Sequence, residues 1–214
     1  MKKRIKFIAI STRIVNSEVY FEPRDALSHE WPKLLEKLGY YPIFISNFFS
    51  DVKTILNETK IDGIILSGGD NIGESKERDK IERKLIKIGL ENKIPIFGVC
   101  RGMQVINDYF KGTIEKTNDK KHVKTFHTIK INDEKFKKSL KRTSIRVNSF
   151  HNNIIKEKNL GKGIQSFAIT KSDNTVEGLF HKDFQIMGVM WHPERSLNNI
   201  NKKIIKNFFE KKII

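Results

Sequence analysis

Short apolar runs alternate with helical patterns four times within the first 110 residues of this chain. Each run is short and mostly apolar, as expected of a strand buried on both faces of a sheet. The predicted strands are residues 5–11, 41–46, 62–70 and 94–99. The predicted helices are residues 25–40, 52–60, 77–93 and 102–110. Pro32 is expected in the first turn of its helix or at a kink. Such alternation predicts βαβ units, a mostly parallel sheet and helices on both of its faces.

The second half of the chain has a different, β-rich pattern. Strand patterns occupy residues 121–132, 143–150, 164–181 and 184–192, and a basic amphipathic helix is predicted for 198–212. We expect these strands either to extend the sheet or to form a small antiparallel layer beside it. The predicted fold class is therefore α/β, an open and mostly parallel sheet flanked by helices, with an additional antiparallel β portion in the C-terminal half.

The length and composition predict one domain that spans residues 1–214. The 214 residues contain 15 Phe and are 38% hydrophobic, which is enough for one sizeable core. No Gly/Ser-rich linker, internal repeat or low-complexity tract divides the chain.

A reducing, cytoplasmic location is expected, because the chain's one cysteine cannot form an internal disulfide. The basic and apolar N-terminal segment "MKKRIKFIAIS" has too short an apolar part for a secretory signal and no small-residue cleavage site. No apolar run approaches the roughly 20 residues that span a bilayer. We therefore predict no membrane partner.

The net charge of +16 favours an anionic partner. The charge is diffuse, however, and its densest stretch, residues 111–146, mixes twelve Lys and Arg with four Asp and Glu. Few aromatic residues are available there to stack on bases. Nucleic-acid binding is therefore kept as an alternative but is not the predicted function, and an anionic small substrate is compatible with the charge.

The single cysteine, Cys100, lies between Gly98 and Gly102, where a predicted strand meets a predicted helix. This G-x-C-x-G sequence is the thiol version of the strand–turn–helix elbow that presents a nucleophile. The glycines remove side chains that would collide in the strained turn. The helix N-terminus offers unpaired N–H groups and a positive dipole end that stabilises a thiolate. The pattern favours a catalytic nucleophile over a buried structural cysteine.

A base for this thiol is predicted at His192, because His192, Pro193 and Glu194 follow a predicted strand. Two residues apart on an extended segment, His192 and Glu194 are expected to point to the same side. The carboxylate can then hold one ring nitrogen, so that the other accepts the thiol proton. The remaining histidines have no such local signature. His29 is expected on the surface of a helix, and His122, His127 and His181 are expected to be solvated.

Three motifs in this order, "LSGGD" (66–70), "GVCRGMQ" (98–104) and "WHPE" (191–194), resemble the class I glutamine amidotransferase-like superfamily. The resemblance covers nearly the whole chain and implies the flavodoxin-like fold of that superfamily. Further features resemble its stand-alone γ-glutamyl hydrolases of the peptidase C26 type, which include γ-glutamyl-γ-aminobutyrate hydrolase. These features are "CRG", "VNSFHNNII" (147–155) and "ERDKIE" (77–82).

The resemblance implies a catalytic triad of Cys100, His192 and Glu194. It also implies two backbone N–H donors for an oxyanion and a set of contacts to the glutamyl group. The oxyanion donors are Gly69 and Arg101, and the glutamyl contacts are Gln104, Asn148, Ser149, Phe150 and His151. Related sequences usually have Gln where this chain has Met190, so inferences about contacts near that position are weaker.

The implied reaction is hydrolysis of a γ-glutamyl amide through a γ-glutamyl thioester, with neither metal nor cofactor. The expected partner is a small γ-glutamyl substrate, and an anionic nucleotide conjugate such as γ-glutamyl-CDP-amidate suits the positive charge. Three alternatives stay open: a glutaminase subunit that supplies ammonia to a separate synthetase, a non-catalytic binding module, and a nucleic-acid binder.

Overall fold

The computed structural model describes residues 4–117 and 125–213. The strands are β1 Lys6–Ser11, β2 Arg13–Asn16, β3 Pro23–Ala26, β4 Tyr40–Ile45, β5 Gly63–Leu66, β6 Ile96–Val99, β7 Glu115–Lys116, β8 Thr125–Ile131, β9 Ser144–Ser149, β10 Asn153–Ile154, β11 Ile164–Thr170, β12 Val176–His181 and β13 Ile186–Val189. The α-helices are α1 Glu30–Leu38, α2 Val52–Glu58, α3 Lys76–Glu91, α4 Arg101–Tyr109, α5 Glu134–Leu140 and α6 Asn199–Phe209. Short 3₁₀ helices cover Glu157–Asn159 and Pro193–Arg195.

Nine strands form one mixed sheet in the order β4-β1-β5-β6-β13-β12-β11-β8-β9. The pairs from β4 through β13 are parallel, and the pairs from β13 through β9 are antiparallel. The later strands therefore extend the sheet and do not form a separate layer. This confirms the predicted α/β class with an antiparallel C-terminal portion.

Each face of the sheet packs on three helices, because each helix has one apolar stripe to bury. One core cluster joins α1, α5 and α6 to the sheet, with Trp31, Phe136 and Phe208 fully buried. The other joins α2, α3 and α4, with Leu85 and Ile106 fully buried. None of the helices in the described residues is long and apolar enough to cross a bilayer.

One predicted boundary of the fold was wrong, and one helix was missed. The helix expected over 25–40 begins only at Glu30, because residues 23–26 pair antiparallel with β2 as a hairpin. Pro32 is therefore in the first turn, where its missing N–H costs nothing. Helix α5 was not predicted, although Asp133 is a clear N-cap whose carboxylate accepts from the Lys135 and Phe136 N–H groups. The frequent lysines of this segment obscured the apolar positions of the helix.

Candidate active site

Cys100 is the turn between β6 and α4, with a left-handed φ of 51° and a ψ of −105°. Positive φ is uncommon for a residue with a side chain, and such strain is typical of functional turns. The Cys100 N–H donates to the Val189 carbonyl at 2.8 Å, so the neighbouring strand β13 holds the turn from one side. The Gln104 N–H donates to the Cys100 carbonyl at 3.2 Å and begins the helical ladder. The predicted elbow is confirmed in this geometry.

The two flanking glycines are required because the backbone of the elbow is closely packed. A Cβ on Gly98 would lie 2.6 Å from the Gly102 carbonyl carbon. A Cβ on Gly102 would lie only 2.0 Å from the carbonyl oxygen of Leu66, at the end of β5. Neither neighbour is a flexible side-chain tip, so backbone would have to move to admit a methyl group.

Substituting alanine at Gly102 is expected to lower the free energy of unfolding by about 3 kcal/mol, because the new methyl group overlaps a buried strand. Gly39→Ala is the matched control, because nothing lies within 4 Å of its Cβ position although its φ is +80°. It is expected to cost only about 1 kcal/mol for the left-handed backbone. Chemical denaturation of both variants measures the difference, and equal losses would contradict the steric explanation.

His192 is held in place through its backbone and its ring. Its N–H donates to the Asn148 side-chain oxygen at 2.8 Å, and the Asn148 amide donates to its carbonyl at 2.9 Å. The ring Nδ1 is 2.7 Å from Oε1 of Glu194. Both side chains are buried. The pairing was predicted for an extended segment, but Glu194 lies within the 3₁₀ turn that begins at Pro193.

The sheet order brings this imidazole to the thiol. Strands β6 and β13 are parallel neighbours, so Val99 and Val189 pair directly and both strands end at the same edge. The Gly-Gly loop after β5 also lies close to the side chains of Cys100 and His192. A Cβ on Gly68 would lie 2.7 Å from His192 Cε1 and 3.6 Å from Cys100 Cβ.

The pKa of His192 is raised from 6.5 to about 9. Burial is the largest single influence and acts to lower the pKa, but hydrogen bonds to Cys100 and Glu194, with the charges of both groups, outweigh it. The imidazole is therefore a cation at neutral pH in the free protein. It can donate a proton from Nε2 while Glu194 holds Nδ1.

We expect Cys100→Ala to lower the pKa of His192 below about 9, because the hydrogen bond and charge of the sulfur are lost. NMR titration of the His192 ring in both proteins measures the change. In the wild type, activity is expected to fall as pH rises above about 9, because the imidazolium proton is then lost. An unchanged His192 pKa in the variant would show that the sulfur does not contact the ring.

The Gly-Gly loop after β5 is fixed by a buried arginine. Nη2 of Arg78 donates to the carbonyls of Ser67 and Gly68, each at 3.0 Å. A peptide group is planar and trans, so the Gly69 N–H points away from the carbonyl of Gly68 and hence away from Arg78. Gly69 has a φ of +142°, and a Cβ there would lie 2.4 Å from Arg78 Nη1. The loop conformation thus requires both the glycine and the guanidinium.

A buried ionic cluster continues from this loop to the elbow. Nε of Arg78 bonds to Glu82 at 3.1 Å, and Glu82 also bonds to the guanidinium of Arg101. Arg101 pairs with Asp79 as well. Burial lowers the pKa values of both guanidinium groups, to about 10 for Arg78 and about 9 for Arg101, where the charge of Arg78 adds to the effect. Both stay charged at neutral pH. The side chain of Arg101 is therefore structural, and only its backbone N–H could serve an oxyanion.

Arg78→Met is expected to lower kcat of any reaction at Cys100 about 10- to 100-fold, with little change in KM, because the Gly-Gly loop loses the donor that orients its peptides. Arg83→Met, on the same helix but on its solvated side, is the control. Arg78→Lys keeps the charge, but a lysine does not reproduce the hydrogen bonds of the guanidinium to both carbonyls. We therefore expect it to restore kcat only in part. A purely structural role would lower thermal stability without this split between kcat and KM.

An open cavity of about 180 Å³ lies over the thiol. Cys100, His192 and Glu194 all line it. The remaining walls come from the hairpin and the start of α1, from the Gly-Gly loop, and from two side chains near the triad. These residues are Arg13, 26–28, Trp31, 67–69, Phe150 and Arg195.

The structure places the predicted pocket residues in two groups. Gly69 and Phe150 line the cavity, and the Phe150 ring lies edge-on to His192 with the ring centres 5.8 Å apart. The other predicted contacts are buried and are not among the residues that line the cavity. They are Gln104, Asn148, Ser149 and His151.

Gln104 and Asn148 are engaged with the protein itself. The Gln104 amide donates to the sulfur of Met190 at 3.6 Å, and its oxygen accepts from Asn153 at 3.5 Å. Asn148 supports the backbone of His192, a role that the sequence did not suggest. Direct contact of these residues with a substrate stays a prediction.

Two histidines predicted to be solvated are not. His127 is largely shielded, with 14% of its side chain exposed, and its Nε2 lies 3.4 Å from the buried carboxylate of Glu177. His181 is buried, its Nδ1 accepts two backbone N–H groups, and desolvation lowers its pKa. The pleat of β8 turns His127 inward, and His181 lies at the end of β12, whose residues are all buried. His29 is exposed, as expected, and His122 lies outside the described residues.

Sequence reasoning missed Arg13, Arg78 and Arg195 as residues of this region. The "ERDKIE" sequence contains Arg78 and was noticed only as part of the resemblance. Arg195 directly follows the His-Pro-Glu segment, and that position was the only available signal. Nothing in the sequence pointed to Arg13, which reaches the cavity through the unpredicted hairpin.

No group of three or more His, Cys, Asp or Glu side chains within residues 4–117 and 125–213 is arranged to hold a metal ion.

Comparison with known proteins gives a consistent result. Residues 23–212 match the family "Glutamine amidotransferase class-I". The gamma-glutamyl-CDP-amidate hydrolase of Campylobacter jejuni is 35% identical in an alignment that covers 95% of this chain and 97% of that protein. Anthranilate synthase component 2 of Saccharolobus solfataricus is 29% identical over 87% of this chain and 94% of that protein.

Solved structures show the same fold. A glutamine amidotransferase from Thermotoga maritima superimposes with a TM-score of 0.69 at 10% identity, and covers 99% of both chains. A protein from Thermoplasma acidophilum superimposes with a TM-score of 0.76 at 22% identity, over 97% of this chain and 94% of that one. The elbow, the sheet order and the family match agree, and the chain belongs to the class-I glutamine amidotransferase family.

Proposed function

We propose that this chain is a cysteine-dependent hydrolase that cleaves a γ-glutamyl amide bond and releases L-glutamate through a γ-glutamyl thioester. The observation that carries the proposal is the shared cavity of Cys100, His192 and Glu194. The imidazole there is bonded to a carboxylate at 2.7 Å and has its second nitrogen free for the thiol. A nucleophile, a base and an orienting group are the parts that acyl transfer needs.

The proposed reaction proceeds in two halves. The Cys100 thiolate attacks the γ-carbonyl carbon, and the tetrahedral intermediate collapses with cleavage of the C–N bond. His192 gives its Nε2 proton to the leaving nitrogen. Water then attacks the thioester while His192 accepts a proton from it, and collapse of the second intermediate releases glutamate and regenerates the thiolate.

The oxyanion formed in each half is held by backbone N–H groups. In this proposal the donors are those of Gly69 and Arg101, each worth about 3–4 kcal/mol of transition-state stabilisation. Two features support the assignment. The Gly69 N–H points away from Arg78, and the first N–H groups of α4 have no partner within the helix. Gln104 and residues 148–151 would shape the glutamyl half of the site.

The substrate that we favour is γ-glutamyl-CDP-amidate, which would yield glutamate and cytidine diphosphoramidate. Two observations support it. The first is 35% identity to a gamma-glutamyl-CDP-amidate hydrolase over nearly the full length of both chains. The second is the net charge of +16, which suits a diphosphate.

A second candidate is a glutaminase subunit that supplies ammonia to a separate synthetase. Similarity to an anthranilate synthase component 2 over 87% of this chain favours it. This candidate predicts weak glutaminase activity in the isolated protein and strong stimulation by a copurifying partner.

Glutamate release from three donors tests the proposal: γ-glutamyl-CDP-amidate, γ-glutamyl-γ-aminobutyrate and L-glutamine, each with wild type and with Cys100→Ala. We expect the nucleotide amidate to have the highest kcat/KM and the variant to release no glutamate. Equal and poor turnover of the nucleotide amidate and γ-glutamyl-γ-aminobutyrate would overturn the substrate assignment. Release by the variant would overturn the mechanism.

A further inference from the structure

Two arginines share the cavity with the thiol and stand on different walls of it. Arg13 begins β2 of the hairpin and is half-buried next to the Gly-Gly loop. Its Cβ is 3.3 Å from the position that a Cβ on Gly69 would take. Arg195 ends the 3₁₀ turn after His192, and 39% of its side chain is exposed. The two arginines thus enter the lining of the cavity from the hairpin and from the turn that holds His192.

The positive charge in this cavity is not balanced by the protein. The side chain of Arg13 makes no hydrogen bond or ion pair in the part of the chain that the structure describes, and only its backbone pairs with β3. Arg195 Nε is 3.9 Å from Glu194, whose carboxylate is already bonded to His192 at 2.7 Å. Glu194 is the one acidic residue among the described lining residues. Two guanidinium groups therefore face the cavity with donors to spare, which is the usual arrangement for binding phosphate.

The chemistry of the leaving group explains why the cations would be needed here. In a γ-glutamyl phosphoramidate the leaving nitrogen is bonded directly to phosphorus, so phosphate oxygens lie beside the attacked carbonyl. A thiolate that approaches this carbonyl meets a like charge, and nearby cations reduce the repulsion. L-Glutamine carries no such charge on its leaving group.

We propose that Arg13 and Arg195 bind the diphosphate attached to the leaving nitrogen and thereby select nucleoside diphosphate amidates over glutamine. This inference rests on the proposed function. In this arrangement the cavity of about 180 Å³ takes the glutamyl group and the first phosphate, and the nucleoside extends past its rim. Phe150 lies at that rim, 38% exposed, with the Arg195 guanidinium 4.4 Å above its ring. This stacked pair offers a surface for the base.

Arg13→Met and Arg195→Met test the inference, with Arg24→Met as the matched control. Arg24 is on the same hairpin but pairs with Glu22 at 2.5 Å and does not line the cavity. The probes are CDP and cytidine in calorimetric titrations of the full chain. We expect CDP to bind more tightly than cytidine. Each cavity variant is expected to lower the affinity for CDP about 10- to 100-fold. We expect Arg24→Met to bind CDP as the wild type does.

Kinetics provide the second readout. The ratio of kcat/KM for the γ-glutamyl nucleotide amidate to that for γ-glutamyl hydroxamate is expected to fall at least about 10-fold in each cavity variant. An equal loss for both donors would overturn the inference, because the arginines would then hold the α-carboxylate of the glutamyl group. Equal binding of CDP and cytidine would overturn it as well.

The outcomes for the subsite and for the proposed function can be told apart. CDP binding that depends on both arginines, in a protein that hydrolyses no γ-glutamyl donor, would support the subsite and refute the proposed function. Hydrolysis of γ-glutamyl amides without any preference for a diphosphate would support the function and refute the subsite.

Discussion

Replacement of Cys100 by serine is expected to lower kcat for glutamate release by at least about 10⁴-fold. Serine has nearly the shape of cysteine, but its hydroxyl does not ionise beside an imidazolium, so no nucleophile forms before the attack. Loss of the nucleophile of a triad leaves only the contribution of binding and of the oxyanion donors. The measurement is glutamate release under saturating γ-glutamyl-CDP-amidate.

The fold of this variant should be unchanged, because the change replaces a single side-chain atom of a residue that borders an open cavity. Thermal unfolding of Cys100→Ser within about 2 °C of the wild type provides that control. A variant that folds normally and retains more than about a tenth of wild-type kcat would contradict the role of the thiol.

Glu194→Gln is expected to lower kcat about 10³- to 10⁴-fold, the second-largest effect. The carboxylate is 2.7 Å from Nδ1 of His192, where it fixes the tautomer and stabilises the imidazolium. The amide has nearly the same shape but no charge, and it can present its NH₂ group to the ring. We expect the pKa of His192 to fall below about 9 in this variant, since Glu194 is one of the groups that raise it.

Glu58→Gln is the matched control for this prediction, because Glu58 is an exposed carboxylate at the end of α2. Its replacement should change neither kcat nor the His192 titration. Retention of wild-type kcat by Glu194→Gln would mean that the ring is oriented by another group, such as the Asn148 contacts to its backbone.

The elbow and the sheet could be predicted because their signals are local. Gly98 and Gly102 flank the cysteine, and the alternation of apolar runs with helical patterns predicts the parallel part of the sheet. His192 and Glu194 were predicted as partners of Cys100 from the His-Pro-Glu segment at a strand end, and the pairing of β6 with β13 brings these distant positions to the same edge of the sheet. Their role as a catalytic triad stays a prediction. The single domain over 1–214 and the contacts of the glutamyl group stay predictions.

The features that could not be predicted depend on contacts between distant segments. Residues 25 and 26 were expected in a helix but belong to strand β3, because residues 23–26 pair with β2. The Arg78–Glu82–Arg101 cluster joins two helices, and a charged residue in a helix usually indicates a solvated face. His127 and His181 were predicted to be solvated because their sequence neighbours are polar, and sequence neighbours do not show which partner lies across a sheet.

The mass of the protein after rapid mixing with a γ-glutamyl donor and acid quenching tests the central claim most directly. Cys100 acylation predicts a transient adduct of one glutamyl group, which peptide mapping locates to Cys100 and which Cys100→Ala does not form. His192→Ala should form it far more slowly. Glutamate release without any such adduct, or an adduct on another residue, would contradict the account.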